Sequence, residues 1–239
     1  MRFNRVWASI LLLVLFVFPT PVFSDNPDWY ERYLFRAACA KHTRCAALSE
    51  MPQQIQDYVN GFYQPIRTAS SVDDDVFVFV SGDPSANAWV LKHYAVLTVG
   101  FVVKGFAGTF TRDEMAFVAA HELAHIELRH YEQKQNEIAK VLGIALILTI
   151  IGQGYYNPLN DPYFVTAARI GLAAYSRDLE TEADLRGVQL MRSAGFDPRA
   201  SISALVKIAP IGVAGAGDLF DNHPSTLERI RRLQGELGP

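Results

Sequence analysis

The chain has 239 residues, half of them apolar and a fifth charged, with a formal net charge of -3. That is enough for one well-buried domain and too little for two large ones. A mildly acidic chain with no Lys/Arg run and no interleaved aromatic motif is not built for nucleic acid, whose binding proteins usually display a basic face.

The first 24 residues read as a signal peptide: Arg2 and Arg5 form a basic start, Ala8 to Phe18 an apolar core and Val22-Phe23-Ser24 a cleavage site. An uncleaved anchor competes, but an apolar run of about a dozen residues is short of the roughly 20 that a span needs. The mature protein then runs from Asp25 to Pro239 as a single domain, and the loss of two arginines takes the formal charge from -3 to -5. Cys39 and Cys45 are the only cysteines. In an exported chain they read as one disulfide; a metal site is the other reading, but the spacing fits no zinc knuckle.

Trp29 to Leu48 is spaced as a helix, which a bridge between Cys39 and Cys45 would have to break or bend. A second, short helix is expected over Gln53 to Tyr63, ending near Gly61. The run Val76 to Val80 is β-branched and aromatic and reads as a strand, followed by Asn87 to Val90 and Tyr94 to Val99, which together predict a small sheet. Asp73 to Asp75 reads as a solvated turn, since no calcium loop pattern surrounds it.

Thr111 followed by Glu114 is a capping-box signature, and Met115 to Leu128 contains no Gly or Pro, so a helix is expected through Tyr131. It carries His121-Glu122-Leu123-Ala124-His125. Residues four apart on a helix are separated by about 400°, so the two imidazoles share a face and can hold one metal ion, with Glu122 about 100° round as general base toward water. The competing reading is two ordinary helix histidines, which a third ligand would displace.

Helix is expected to continue past Tyr131 into Val141 to Ile151, an apolar run whose eleven residues would rise only about 16 Å. Core is the default for it; a lid or a membrane-touching insertion are the alternatives, because a run apolar on every face needs cover on every face. A loop over residues 153–162 leads to a long helix from Tyr163 to Ala194, with a kink expected near Gly171 and a stop at Gly195. Within it, Glu180 and Asp184 share a face, whereas Glu182 points about 200° away from Glu180. Glu180 is therefore the expected third ligand and Asp184 the acceptor for the outer N–H of a ligand histidine, which leaves Glu182 to pair outward with Arg186. A solvated acidic face is the bland alternative. A helix over Arg199 to Ile208, a flexible Gly-rich connection from Ile211 to Gly217 and a last helix opened by Ser225-Thr226-Leu227-Glu228 complete the chain.

Taken with Asn87-Ala88-Trp89, Asp113-Glu114, His130, Ser176-Arg177, Ala194-Gly195-Phe196-Asp197-Pro198, His223-Pro224 and Arg229-Ile230, this set resembles the gluzincin zinc metallopeptidases that include HtpX, the CAAX prenyl endoprotease and the BepA-like periplasmic peptidases. The resemblance covers roughly Asn87 to Arg231 and favours the soluble, exported branch. Relatives often carry Thr or Ser before the late His-Pro, where this chain has Asn222. The resemblance implies an α+β, mostly helical zincin-like domain with a small sheet beside the H-E-x-x-H helix. It also implies one Zn²⁺ on His121, His125 and Glu180, and Glu122 as base. His223 would act as oxyanion donor or as a latch on the zinc, the bland reading being a helix cap. An extended substrate would lie along an edge strand near Val96 to Val99. The function implied is a periplasmic metalloendopeptidase acting on unfolded or misfolded envelope proteins; the alternative is a latent or non-catalytic, chaperone-like binder. A metzincin would need Gly at position 128 and His at position 131, where the chain has Leu128 and Tyr131.

Overall fold

A computed structural model describes Cys39 and residues 45–72, 76–208 and 226–238. The leader, Asp73 to Asp75, the stretch 211–217 and His223 lie outside the described residues.

Cys39 and Cys45 form a disulfide with their Cα atoms 5.6 Å apart. The helix expected to reach Leu48 is replaced there by strand β1 (Cys45–Ala47), whose backbone pairs antiparallel with Phe79 to Ser81. Helix α1 (Gln53–Ala69) runs past both Gly61 and Pro65, although a stop near Gly61 is what the sequence suggests. Packing overrides the local breakers: Val59, Phe62, Tyr63 and Ile66 are all buried on one side of it. Pro65 has no N–H for the Gly61 carbonyl. The Arg112 guanidinium donates to that carbonyl instead, its Nε at 3.1 Å.

Strands β2 (Phe77–Ser81), β3 (Ala88–Leu91) and β4 (Tyr94–Thr98) complete a sheet of order β1-β2-β4-β3. β2 and β4 are parallel, with Phe79 opposite Val96, and β3 is antiparallel to β4. β4 is therefore central and buried along its whole length, while β3 is an edge among the described strands. This corrects the expectation of an edge near Val96 to Val99. Val80, Ala88 and Leu97 face the helices and join their core. Helix α2 (Val99–Phe106) begins at Thr98, whose hydroxyl accepts from the Phe101 N–H at 3.2 Å.

Helix α3 (Arg112–Glu127) is the centre of the fold, packed against α1, β3 and two later helices. Its capping box is formed: the Thr111 hydroxyl accepts from the Glu114 N–H and the Glu114 carboxylate accepts from the Thr111 N–H at 2.7 Å. Every residue from Glu114 to Ala124 is buried, so the helix has no solvent stripe to display.

The helix does not continue through Tyr131. It breaks at Leu128 and Arg129, and Arg129 adopts the left-handed conformation, φ 55 and ψ 41, before helix α4 (His130–Ile151) starts. The Leu128 carbonyl freed by the break accepts from Gln133 Nε2 at 2.8 Å. After a 3-10 turn at Pro158–Asn160, helix α5 (Pro162–Ser193) returns as one continuous helix through Gly171 and ends at Gly195, φ +80. The hairpin of α4 and α5 is not core at its far end: Leu142, Ile144, Ile147, Ile150 and Ile151 are all exposed. No helix of the described residues is long and apolar enough to cross a membrane. Helices α6 (Ala200–Ile208) and α7 (Thr226–Leu237) close the core with Leu205 and Leu233. The fold is α+β and mostly helical, with its small sheet beside the H-E-x-x-H helix.

Candidate metal centre

Helices α3 and α5 make the site by crossing closely. Ala116, Ala119, Ala120 and Ala124 keep α3 thin, and α5 answers with Gly187, where a Cβ would lie 3.2 Å from the His121 backbone nitrogen. Two turns along α5 from that contact, Glu180 meets both histidines.

The three side chains close a triangle. His121 Nε2 lies 3.0 Å from His125 Nε2 and 3.3 Å from Glu180 Oε2, and His125 Nε2 lies 3.4 Å from Glu180 Oε1. Donors held at about 2.0–2.1 Å in a tetrahedron around zinc stand about 3.3 Å apart, so the donor set and its spacing fit a divalent cation with one position left open. His121 and Glu180 are 4% and 3% exposed, which makes two facing imidazole nitrogens and a carboxylate an arrangement that needs a proton or a cation between them. Burial and the Arg229 charge push the His121 imidazole down, but Asp184 and Glu180 outweigh them and raise it to about 9. A bound cation would take the place of that proton.

The surroundings differ for the two histidines. His121 Nδ1 faces Asp184 Oδ1 at 3.0 Å. Asp184 is gripped from behind by Arg229, with Nε and Nη2 each 2.7 Å from a carboxylate oxygen, and Arg229 Nη1 lies 3.1 Å from Glu180 Oε2. Burial works against the Asp184 charge, yet the Arg229 guanidinium and His121 hold its carboxyl below the usual range. His125 Nδ1 instead faces His130 Nδ1 at 2.8 Å, and His130 Nε2 lies 3.4 Å from Glu182 Oε2. Glu182 is thus not the partner of Arg186, which the sequence suggests; Arg186 binds Glu127 through Nε at 2.9 Å and Nη2 at 2.7 Å.

Glu122 is buried and lines a groove of about 890 Å³ together with His125 and Glu180. The opposite wall is the edge strand, through Trp89, Val90 and Leu91. Of the candidate residues, the structure brings His121, Glu122, His125, Glu180 and Asp184 together, and His223 lies outside the described residues. Sequence reasoning assigned no role to Arg229 or to the His125–His130 contact. Three carboxylates gathered round two histidines do call for a cation from the protein, but nothing local says which arginine supplies it.

Comparison with known proteins gives the same picture. The chain is 31% identical over 157 residues to the mitochondrial metalloendopeptidase OMA1 of Arabidopsis thaliana, an alignment covering 65% of this chain and 30% of that protein. It is 31% identical over 180 residues to the OMA1 of Schizosaccharomyces pombe, covering 74% and 51%. It is 30% identical over 147 residues to the beta-barrel assembly-enhancing protease of Yersinia pestis, covering 56% and 30%. The chain thus spans between about a third and half the length of these relatives. The profile of peptidase family M48 matches residues 52–237, which takes in every element from α1 to α7, and the chain belongs to that family.

Proposed function

We propose that the chain is a zinc-dependent endopeptidase, in which His121, His125 and Glu180 hold one zinc ion and Glu122 acts as general base. The observation that carries this is the buried triangle of ligand atoms, 3.0, 3.3 and 3.4 Å on its sides, opening onto a groove that Glu122 lines. Bound there, zinc supplies Lewis acidity, acidifying water and stabilising oxyanionic charge. Asp184 accepts the His121 Nδ1 proton and so keeps the Nε2 lone pair toward the ligand triangle. Arg229 balances the charge of Asp184 and Glu180, and Glu122 takes a proton from the attacking water and returns it to the leaving amine. An extended substrate adds alongside β3, the outer strand of the described sheet, whose backbone then sets the cleavage register. His223 is assigned to the same step, as oxyanion donor or latch.

The test is degradation of an unfolded protein by the full chain with zinc present, against Glu122→Gln. Loss of a positioned base costs about 10²–10⁴ in rate, with zinc content unchanged. If the variant cleaves as fast as wild type, Glu122 is not the base. If neither cleaves while zinc is bound, a chaperone-like or latched protein is the better reading, and His223→Ala separates those two.

Misfolded envelope proteins in the periplasm are the proposed substrates, supported by the disulfide and by the likeness to the beta-barrel assembly-enhancing protease. Contact with a lipid surface through Val141 to Ile151 fits the same setting. Residues 141–160 contain no Asp, Glu, Lys or Arg, and the hairpin tip exposes Tyr155 and Tyr163, a side chain suited to the headgroup level. Flotation with phosphatidylethanolamine–phosphatidylglycerol vesicles checks this: wild type rises with the lipid and an Ile147→Lys, Ile151→Lys double variant stays behind. Equal behaviour of the two removes the membrane contact from the reading.

A further inference from the structure

Two features that the proposed function leaves unused meet at one place, a left-handed residue in the middle of a helical run and a buried histidine just after it. On an unbroken helix His130 would sit about 140° round from His125, on a different face. The break at Arg129 cancels that offset. A non-glycine residue with φ 55 and ψ 41 sits in a backbone conformation that L side chains disfavour, and no proline or glycine forces it here. What the strained turn achieves is a contact of 2.8 Å between His125 Nδ1 and His130 Nδ1.

We propose that His130 is a positioning residue, which fixes the tautomer and ring orientation of His125 for metal binding. The inference rests on the metal site proposed above. Since His125 Nε2 faces the ligand triangle and must offer a lone pair, its proton is on Nδ1. His130 Nδ1 must then accept, which puts the His130 proton on Nε2, 3.4 Å from Glu182 Oε2. His130 is 3% exposed, so water does not take its place beside His125 Nδ1. Gln133 locks the geometry by donating to the Leu128 carbonyl, and Tyr175 Oη donates to Gln133 Oε1 at 2.9 Å, which ties the broken turn to α5. The two ligand histidines are thereby supported unequally, one by a carboxylate–guanidinium pair and the other by a neutral ring.

The experiment compares the full chain with His130→Phe, which keeps the ring and removes the acceptor, and His130→Asn, which restores a side-chain oxygen near the Nδ1 position. Zinc affinity is read by competition with a chelator, and the His125 Nδ1 proton by nitrogen-correlated NMR of histidine-labelled protein with and without metal. The expected result is a ten- to hundredfold loss of affinity in His130→Phe, recovery of most of it in His130→Asn, and a slowly exchanging His125 Nδ1 proton in wild type and His130→Asn only. Undiminished affinity in His130→Phe, or an equal fall in both variants, overturns the proposal, because then no acceptor is needed or only packing matters. A wild type that binds no zinc would refute the metal site instead. The Nδ1 proton read on metal-free protein would still decide whether His130 orients His125.

Discussion

Arg229→Met is the substitution that tests most directly how the site is held together. Arg229 is 7% exposed and makes two 2.7 Å bonds to Asp184 and a 3.1 Å contact to Glu180. Methionine fills much of the same volume but leaves two buried carboxylates, 3% and 2% exposed, without that cation. Removing one partner of a buried ion pair costs about 3–5 kcal/mol, and the lower end applies here because Asp184 keeps His121 at 3.0 Å. Against the roughly 5–15 kcal/mol of an ordinary domain, that is a large fraction. The assay is urea unfolding of wild type and variant, each in chelator and in excess zinc. At the proposed site zinc would supply positive charge beside Glu180, so the difference between the proteins should be larger in chelator than in zinc. Arg229→Lys should fall between, since an ammonium cannot reproduce the two-pronged grip on Asp184. A variant within about 0.5 kcal/mol of wild type in chelator, or a loss that zinc does not reduce, would refute the charge-balancing role.

Burial opposes the charge of Glu114, but hydrogen bonds from Lys207, Ser203 and the Thr111 backbone hold its carboxyl below the ordinary 4.5. The stability it contributes is therefore present above about 4.5 and lost as pH falls through the depressed folded value. Glu114→Gln should lower the urea midpoint at pH 7, by about 1–2 kcal/mol in free energy, and flatten the fall in stability between pH 5 and 3. An unchanged acid profile would count against the assignment. At Gly187, a valine would push its methyl groups into the His121 backbone, so Gly187→Val should cost about 1–3 kcal/mol and weaken zinc binding, because ligands on α3 and α5 move apart. Thermal unfolding and chelator competition check both effects; unchanged zinc affinity would mean that the crossing tolerates the extra bulk.

What could be seen in the sequence was what is written locally. The capping box of α3, the four-residue spacing of His121 and His125, and the same spacing of Glu180 and Asp184 all fix a relation within one helix, and the structure has each of them. Relations between elements were out of reach. The sequence suggests an edge at β4, yet β2, from earlier in the chain, covers one side of β4 and β3 covers the other. Likewise α1 survives Pro65 because an arginine on α3 reaches its carbonyl, a contact that no window on either segment reveals. The break at Leu128 and Arg129 carries no Gly or Pro, so its signal is tertiary: His130 turned toward His125 and Gln133 reaching Leu128. Glu182 and Arg186 are four apart, as a helix pair should be, but each finds a partner on the chain segment around α3 and α4.

The burial of α3 has a further consequence for how the protein opens. His121 sits in an unbroken buried run, Glu114 to Ala124, whose amides are expected to exchange with solvent only on global unfolding. Glu180 belongs to a different regime. On α5 the first buried side chain is Leu179, and the turns before it, from Pro162 to Asp178, bury none. The proposed ligand set therefore joins a fully buried helix to the boundary on α5 where side-chain burial begins. An ion held by both sides is a clasp across that boundary. Its loss would show first as faster hydrogen exchange in α5 around Leu179, with the amides of α3 unchanged.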